Sequence, residues 1–144
     1  MAGGKGSTFD NDLLKLIFNA TGIADIADNA ASTPLTNLYL SLHTADPGAG
    51  GSQTTSEAAY TSYARAAVAR TSAGFTVSGS SVTLTAAVSF VTATGGSETE
   101  TYFAIGTASS GTGKILYRGP ITPSIVVTSG VTPQLTTGTT VTEA

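Results

Sequence analysis

The chain has 144 residues, of which 40% are hydrophobic and only 10% charged, with a net charge of −3 and a sequence pI of about 4.8. That is enough for one domain with a real core, and it excludes disorder as an overall reading. The few basic residues, Lys5, Lys15, Arg65, Arg70, Lys114 and Arg118, are scattered, so no basic stripe offers a footprint for nucleic acid, and the absence of cysteine excludes disulfides and thiolate zinc sites.

Residues 1–8 read as a flexible, Gly-rich N-terminal lead without an apolar signal core. A helix is expected over about 9–20, capped by Ser7 or Thr8, with Asp10 and Asp12 near its positive end and Gly22 as its stop. Phe9, Leu13, Leu14, Ile17 and Phe18 form its apolar face. The run from Leu13 to Phe18 is too short to span a bilayer, so no membrane association is expected. The segment from Ile23 to Pro34 is ambiguous between a helical turn and a loop.

Leu38, Leu40 and Leu42 alternate with Tyr39, Ser41 and His43, which predicts a half-buried strand. Asp46, Pro47, Gly48, Gly50 and Gly51 then mark a turn and a flexible loop reaching about Ala58. Tyr60, Tyr63, Ala64, Ala67 and Val68 match helical spacing, while Ser62, Ala64, Ala66 and Val68 alternate. A strand near Tyr63–Thr71 suits the β-rich context. Further strands are predicted at Phe75–Val77, over Val82–Phe90, at Thr101–Thr107, Lys114–Gly119, Ile125–Thr128, Val131–Leu135 and Thr139–Thr142. Ser and Thr fill about three in ten positions, as expected of strands joined by tight turns. The predicted fold is mainly β, a single-domain antiparallel β-sandwich or jelly roll over 9–144 with an N-terminal helix.

No motif carries catalysis. Gly111-Thr112-Gly113-Lys114 resembles the end of a phosphate-binding loop, but Ala108 replaces its first glycine and Ile115 its magnesium-binding hydroxyl. It also precedes a strand and reads as a hairpin connection. His43 is the only histidine, no Gly-x-Ser-x-Gly elbow occurs, and His43 is expected to be satisfied or solvated. Glu98 and Glu100 share a strand face and are expected at a solvated loop edge, whereas acid–base work needs one desolvated partner. Asp10 with Asp12, and Asp25 with Asp28, lack the ligand series of a calcium loop. The expectation is a non-enzyme with no catalytic, cofactor or metal site. Tyr39, Tyr60, Tyr63, Tyr102 and Tyr117 could stack on sugars or sit at the core rim.

A set of residues across about 9–142 forms a recognisable pattern. It runs from the helix Asp10–Phe18 to Leu38-Tyr39-Leu40-Ser41-Leu42-His43-Thr44-Ala45-Asp46-Pro47-Gly48, then Glu57, Tyr60 and Tyr63-Ala64-Arg65. Tyr102-Phe103-Ala104-Ile105-Gly106 and Ile115-Leu116-Tyr117-Arg118-Gly119 follow. The pattern resembles small virion structural proteins of tailed bacteriophages, the capsid cement or decoration proteins, of which related sequences are called tail-fibre-like. The segment Ala20–Thr36 is longer than in that pattern. The resemblance implies a non-enzymatic β-sandwich made in the host cytoplasm and placed on the capsid exterior. The major capsid protein would be its partner, and it would stabilise the head shell as a homo-oligomer, a trimer. The alternative it leaves open is a receptor- or glycan-binding tail or tail-fibre module. Phe9, Leu13, Leu14, Ile17 and Phe18 are the candidate docking or oligomer contacts. The Asp46–Gly51 loop is the candidate partner-specific surface.

Overall fold

A computed structural model describes residues 7–23 and 34–143. The lead up to residue 6, most of the ambiguous 23–34 segment and the Asp25–Asp28 pair lie outside the described residues. The elements in chain order are α1 (Ser7–Asn19), β1 (Asn37–His43), β2 (Ala66–Ala69), β3 (Phe75–Ser78), β4 (Ser81–Leu84), β5 (Val88–Ser89), β6 (Ser97–Gly106), β7 (Ile115–Thr128), β8 (Gln134–Leu135) and β9 (Thr140–Thr142). The fold is mainly β, with antiparallel pairing and one N-terminal helix, consistent with the predicted β-sandwich class. The chain gathers into two compact units. One comprises Met1–Thr36, Ala69–Ala87 and Thr136–Ala144, and the other Asn37–Val68 and Val88–Leu135.

In the first unit α1 packs on the sheet β3-β4-β9. Leu14 and Phe18, one turn apart, are fully buried with Phe75, Val82 and Leu84. The Phe18 and Phe75 rings meet edge-to-face with centroids 4.9 Å apart. Two asparagine amides tie the helix to the hairpin: Asn11 Nδ2 donates to the Gly79 carbonyl (2.7 Å) and Asn19 Nδ2 to that of Phe75 (3.0 Å). The two-residue connection Gly79-Ser80 has Gly79 at φ +58°, the glycine-first geometry that matches the twist of a tight hairpin. The helix does not stop through Gly22 as expected. Ala20 takes the left-handed conformation at φ +52°. Arg70 reaches the orphan carbonyls, Nε donating to Ile17 O and Nη2 to Leu16 O, while Nη1 donates to Leu35 O. A cation there also complements the negative end of the helix dipole.

The second unit is built on the sheet β2-β1-β6-β7. Leu40 pairs with Ile105 and Leu42 with Phe103. Because residues directly opposite share a face, Leu38, Leu40, Leu42, Phe103 and Ile105 form one apolar surface, and each is buried. The expectation of a half-buried β1 is corrected: Ser41 and His43, on the other face, are buried as well.

Further boundaries differ from the sequence reading: β6 begins at Ser97 and not Thr101, and of Val131–Leu135 only Gln134–Leu135 is strand. The alternating run Val82–Phe90 breaks after Leu84. The Thr85 amide there turns to Gly74 O and its hydroxyl to Ser72 O, and Val88–Ser89 pairs instead with Gln134–Leu135. The strand expected over Tyr63–Thr71 contracts to Ala66–Ala69, because Tyr63 and Arg65 are used in side-chain contacts described below. Lys114–Gly119 and Ile125–Thr128 belong to one long β7, which tolerates Pro120 and Pro123 because it lies at the sheet edge. The pairing is irregular where Glu100 faces Ile125 but Tyr102 faces Pro120.

Candidate functional site: a strapped loop on the central sheet

The second face of β1 and β6 is buried because the segment between β1 and β2 folds back along it. Gln53 lies over Gly106 and the Thr55 carbonyl meets His43, residues 56–58 then pair along β1, and the Ala59 and Tyr60 amides reach Glu98 of β6, so residues 53–60 strap the two strands.

The strap begins with a tight turn in which the Gly48 amide donates to Asp46 Oδ1 (2.9 Å) and Gly48 has φ +75°. Gln53 then enters the interior and is fully buried. Its Oε1 accepts from the Ala108 amide (3.0 Å), its Nε2 donates to Tyr39 O (3.3 Å), and its own amide donates to Gly113 O (3.0 Å). Gly106 and Gly113 make the room: a Cβ at Gly106 would stand 2.1 Å from Gln53 Cδ, and one at Gly113 would stand within 2 Å of Oε1. The loop expected to be flexible is therefore plugged into the sheet at its centre.

Next along the strap, His43 Nδ1 lies 2.8 Å from the Thr55 carbonyl and Nε2 lies 2.9 Å from Ser41 Oγ. A carbonyl can only accept, so Nδ1 carries the proton and Nε2 accepts from the serine hydroxyl. Burial lowers the His43 pKa, opposed by the Thr55 carbonyl and Glu57 and reinforced by Arg65. Serine, histidine and acceptor stand in the order of a nucleophile and its base. Yet Ser41 and His43 are both 0% exposed, so no substrate carbonyl reaches the hydroxyl. The contact closes the strap onto β1.

Glu57 and Arg65 clamp the far side. Arg65 Nε donates to Glu57 Oε1 (2.6 Å) and Nη2 to Oε2 (2.8 Å), a two-pronged pair whose guanidinium side chain is 2% exposed. The same guanidinium holds the β6–β7 connection through Ala108 O (2.9 Å) and Gly111 O (2.7 Å). Gly111-Thr112-Gly113-Lys114 is thus a hairpin connection whose carbonyls meet a cation, the wrong polarity for cradling phosphate. The Tyr63 hydroxyl donates to Glu57 Oε1 (3.0 Å) and accepts the Leu42 amide (3.1 Å), and burial raises its pKa. Its ring stacks on Phe90 and meets Tyr60 edge-on.

At the end of the strap, Glu98 Oε1 accepts the amides of Ala59 and Tyr60, both at 2.8 Å. The expectation that Glu98 and Glu100 sit at a solvated edge is corrected, since Glu100 is fully buried. Alternation along β6 and the strap above it account for this.

The outer side of the strap is small and polar. Thr44, Ala45, Asp46, Ala49, Gly50, Thr54, Thr55 and Ser56 are exposed, and Asp46 Oδ1 lies 3.4 Å from Arg118 Nε. Of the candidate loop residues, Asp46 and Gly50 face solvent, Gly48 and Gly51 are half-buried, and Pro47 is buried. Of the candidate docking residues, Leu14 and Phe18 are consumed by the core of their own unit, Leu13 and Ile17 are half-buried, and Phe9 is 40% exposed. Among the described residues no three potential metal ligands cluster, and no helix is long and apolar enough to cross a membrane. Sequence reasoning missed Gln53 and the burial of Glu100. The signal for Gln53 was the pair Gly106 and Gly113, two side-chain-free positions flanking one hairpin.

Residues 11–143 match a family model described as podophage GP4 fiber I protein gp80. A search of curated proteins returned no match.

Proposed function

From a chain that belongs to the podophage GP4 fiber I protein family, and so is a phage virion structural protein, we propose a non-enzymatic fibre module that contacts the host surface. The observation that carries this reading is the extent of the match, which includes most of α1 and every strand. A fibre, and not a shell cement, is what the matched family describes, so the tail-fibre alternative becomes the main reading. The strap supports it physically. Its underside is fixed by Gln53, His43, Glu57 and Glu98, while its outer side offers hydroxyls, small residues and the Asp46–Arg118 pair. A rigid platform loses little entropy on binding, and short hydroxylated side chains adapt to polar partners such as glycans.

The test is competition for adsorption. Purified chain added in excess to host cells is expected to slow attachment of the phage. The double variant Asp46→Ala/Arg118→Ala, which changes only exposed or half-exposed groups, is expected to compete less well. Absence of any binding to host cells by the folded chain would refute host contact.

A further inference from the structure

Glu98 and Glu100 stand two residues apart on β6, so their side chains leave the same face, opposite Val127 and Ile125. The strap covers that face, with the Ala59 and Tyr60 amides on Glu98 Oε1. Beneath it, Glu100 is 0% exposed and neither of its oxygens meets a hydrogen-bond donor. An ionised Glu100 would be dry, uncompensated and beside a second carboxylate. A proton removes all three difficulties, because the Glu100 hydroxyl then donates to Glu98.

The surroundings favour that proton. Burial first, then Glu98 beside it, as an acceptor for the added proton and as a charge, pushes the Glu100 carboxyl up to about 8. The titratable groups facing it are Glu98 on its own strand and Tyr60 on the strap, whose phenol is itself pushed up to about 12 by burial and by both carboxylates. Across the sheet β7 contributes only the apolar Ile125 and Val127. A divalent cation fits less well than a proton. Glu98 Oε1 is already committed to two amide donors, and no third ligand of the usual kind joins the pair among the described residues.

We propose that Glu98 and Glu100 form a proton-held clasp, in which one shared proton keeps the end of the strap at Ala59 and Tyr60 seated on β6 and its loss to solvent at alkaline pH releases it. The sign follows from linkage. Below the ordinary value of 4.5 both folded and unfolded chains hold the proton. Between 4.5 and about 8 only the folded chain keeps it, so stability falls as pH rises through that window and is lowest above it.

A carboxyl-carbon NMR titration of the full chain between about pH 4 and 10, with amide-exchange protection of Ala59 and Tyr60 followed in parallel, tests the clasp. The expected result is a Glu100 midpoint within about a unit of 8 and protection that drops about tenfold or more across it. Glu100→Gln, which keeps a donor without a titration, is expected to hold protection flat, and Glu98→Gln to weaken it throughout. A Glu100 midpoint near 4.5, or protection unchanged across its titration, would overturn the proposal. So would restoration of protection at high pH by calcium, which would identify a cation site instead.

Discussion

The Gln53 plug gives the sharpest quantitative expectation. Gly113 does not lie in the left-handed region, so Gly113→Ala is opposed by packing alone. The new Cβ would fall within 2 Å of Gln53 Oε1 and 2.8 Å from both Gln53 Cδ and Ala108 Cβ, inside the distance any carbon tolerates. The amide must move, and with it go the bonds to the Ala108 amide and the Tyr39 carbonyl. Overpacking costs about 1–3 kcal/mol, and stranding a buried amide adds about 1–3 kcal/mol, so Gly113→Ala should cost about 2–6 kcal/mol. Gln53→Ala should cost about 2–4 kcal/mol through the lost bonds and the cavity. In that background the alanine at 113 has room, and only the Ala108 contact remains, at about 1 kcal/mol. Urea denaturation of the four proteins at neutral pH, followed by circular dichroism, should therefore give a coupling of at least about 1–2 kcal/mol. Additivity within about 0.5 kcal/mol would refute the plug, because residues that do not touch behave that way.

Other perturbations probe the remaining contacts. Arg65→Met leaves Glu57 of the strap without its cation and should cost about 3–5 kcal/mol by denaturant titration, whereas Arg65→Met with Glu57→Leu should recover much of that loss. Phe18→Ala removes the ring seated on Phe75 and should destabilise the helix-bearing unit by about 3–5 kcal/mol, read as loss of protection in α1. The His43 pKa lies below its ordinary 6.5 through burial, so its contribution is complete above 6.5 and is lost as pH falls through the folded value. Imidazole nitrogen NMR at pH 7 should find the neutral ring with the proton on Nδ1, and a charged ring would contradict the buried Ser41–His43–Thr55 arrangement.

Local chemistry was readable in advance where it was strong. The helical spacing from Phe9 to Phe18, the Leu38–Leu42 alternation and the Asp46-Pro47-Gly48 turn all have counterparts in the fold. What sequence could not reach were effects set at long range. β1 looks half-buried because its polar face carries Ser41 and His43, and only the strap folding back makes that face interior. The same strap turns Glu100 from an apparent surface acid into a buried one. Gly22 was the obvious helix stop, but Arg70, more than fifty residues away in sequence, takes the carbonyls first. Lys114–Gly119 and Ile125–Thr128 read as two separate strands, and the edge position of β7 lets one strand run on through Pro120 and Pro123.

Cryo-electron microscopy of the intact virion tests the central claim most directly. A fibre module predicts density for the strapped sheet in fibres, at the low copy number that a few appendages allow. Density for the same unit spread over the icosahedral shell in many copies would contradict the account and return the chain to the role of a cement protein.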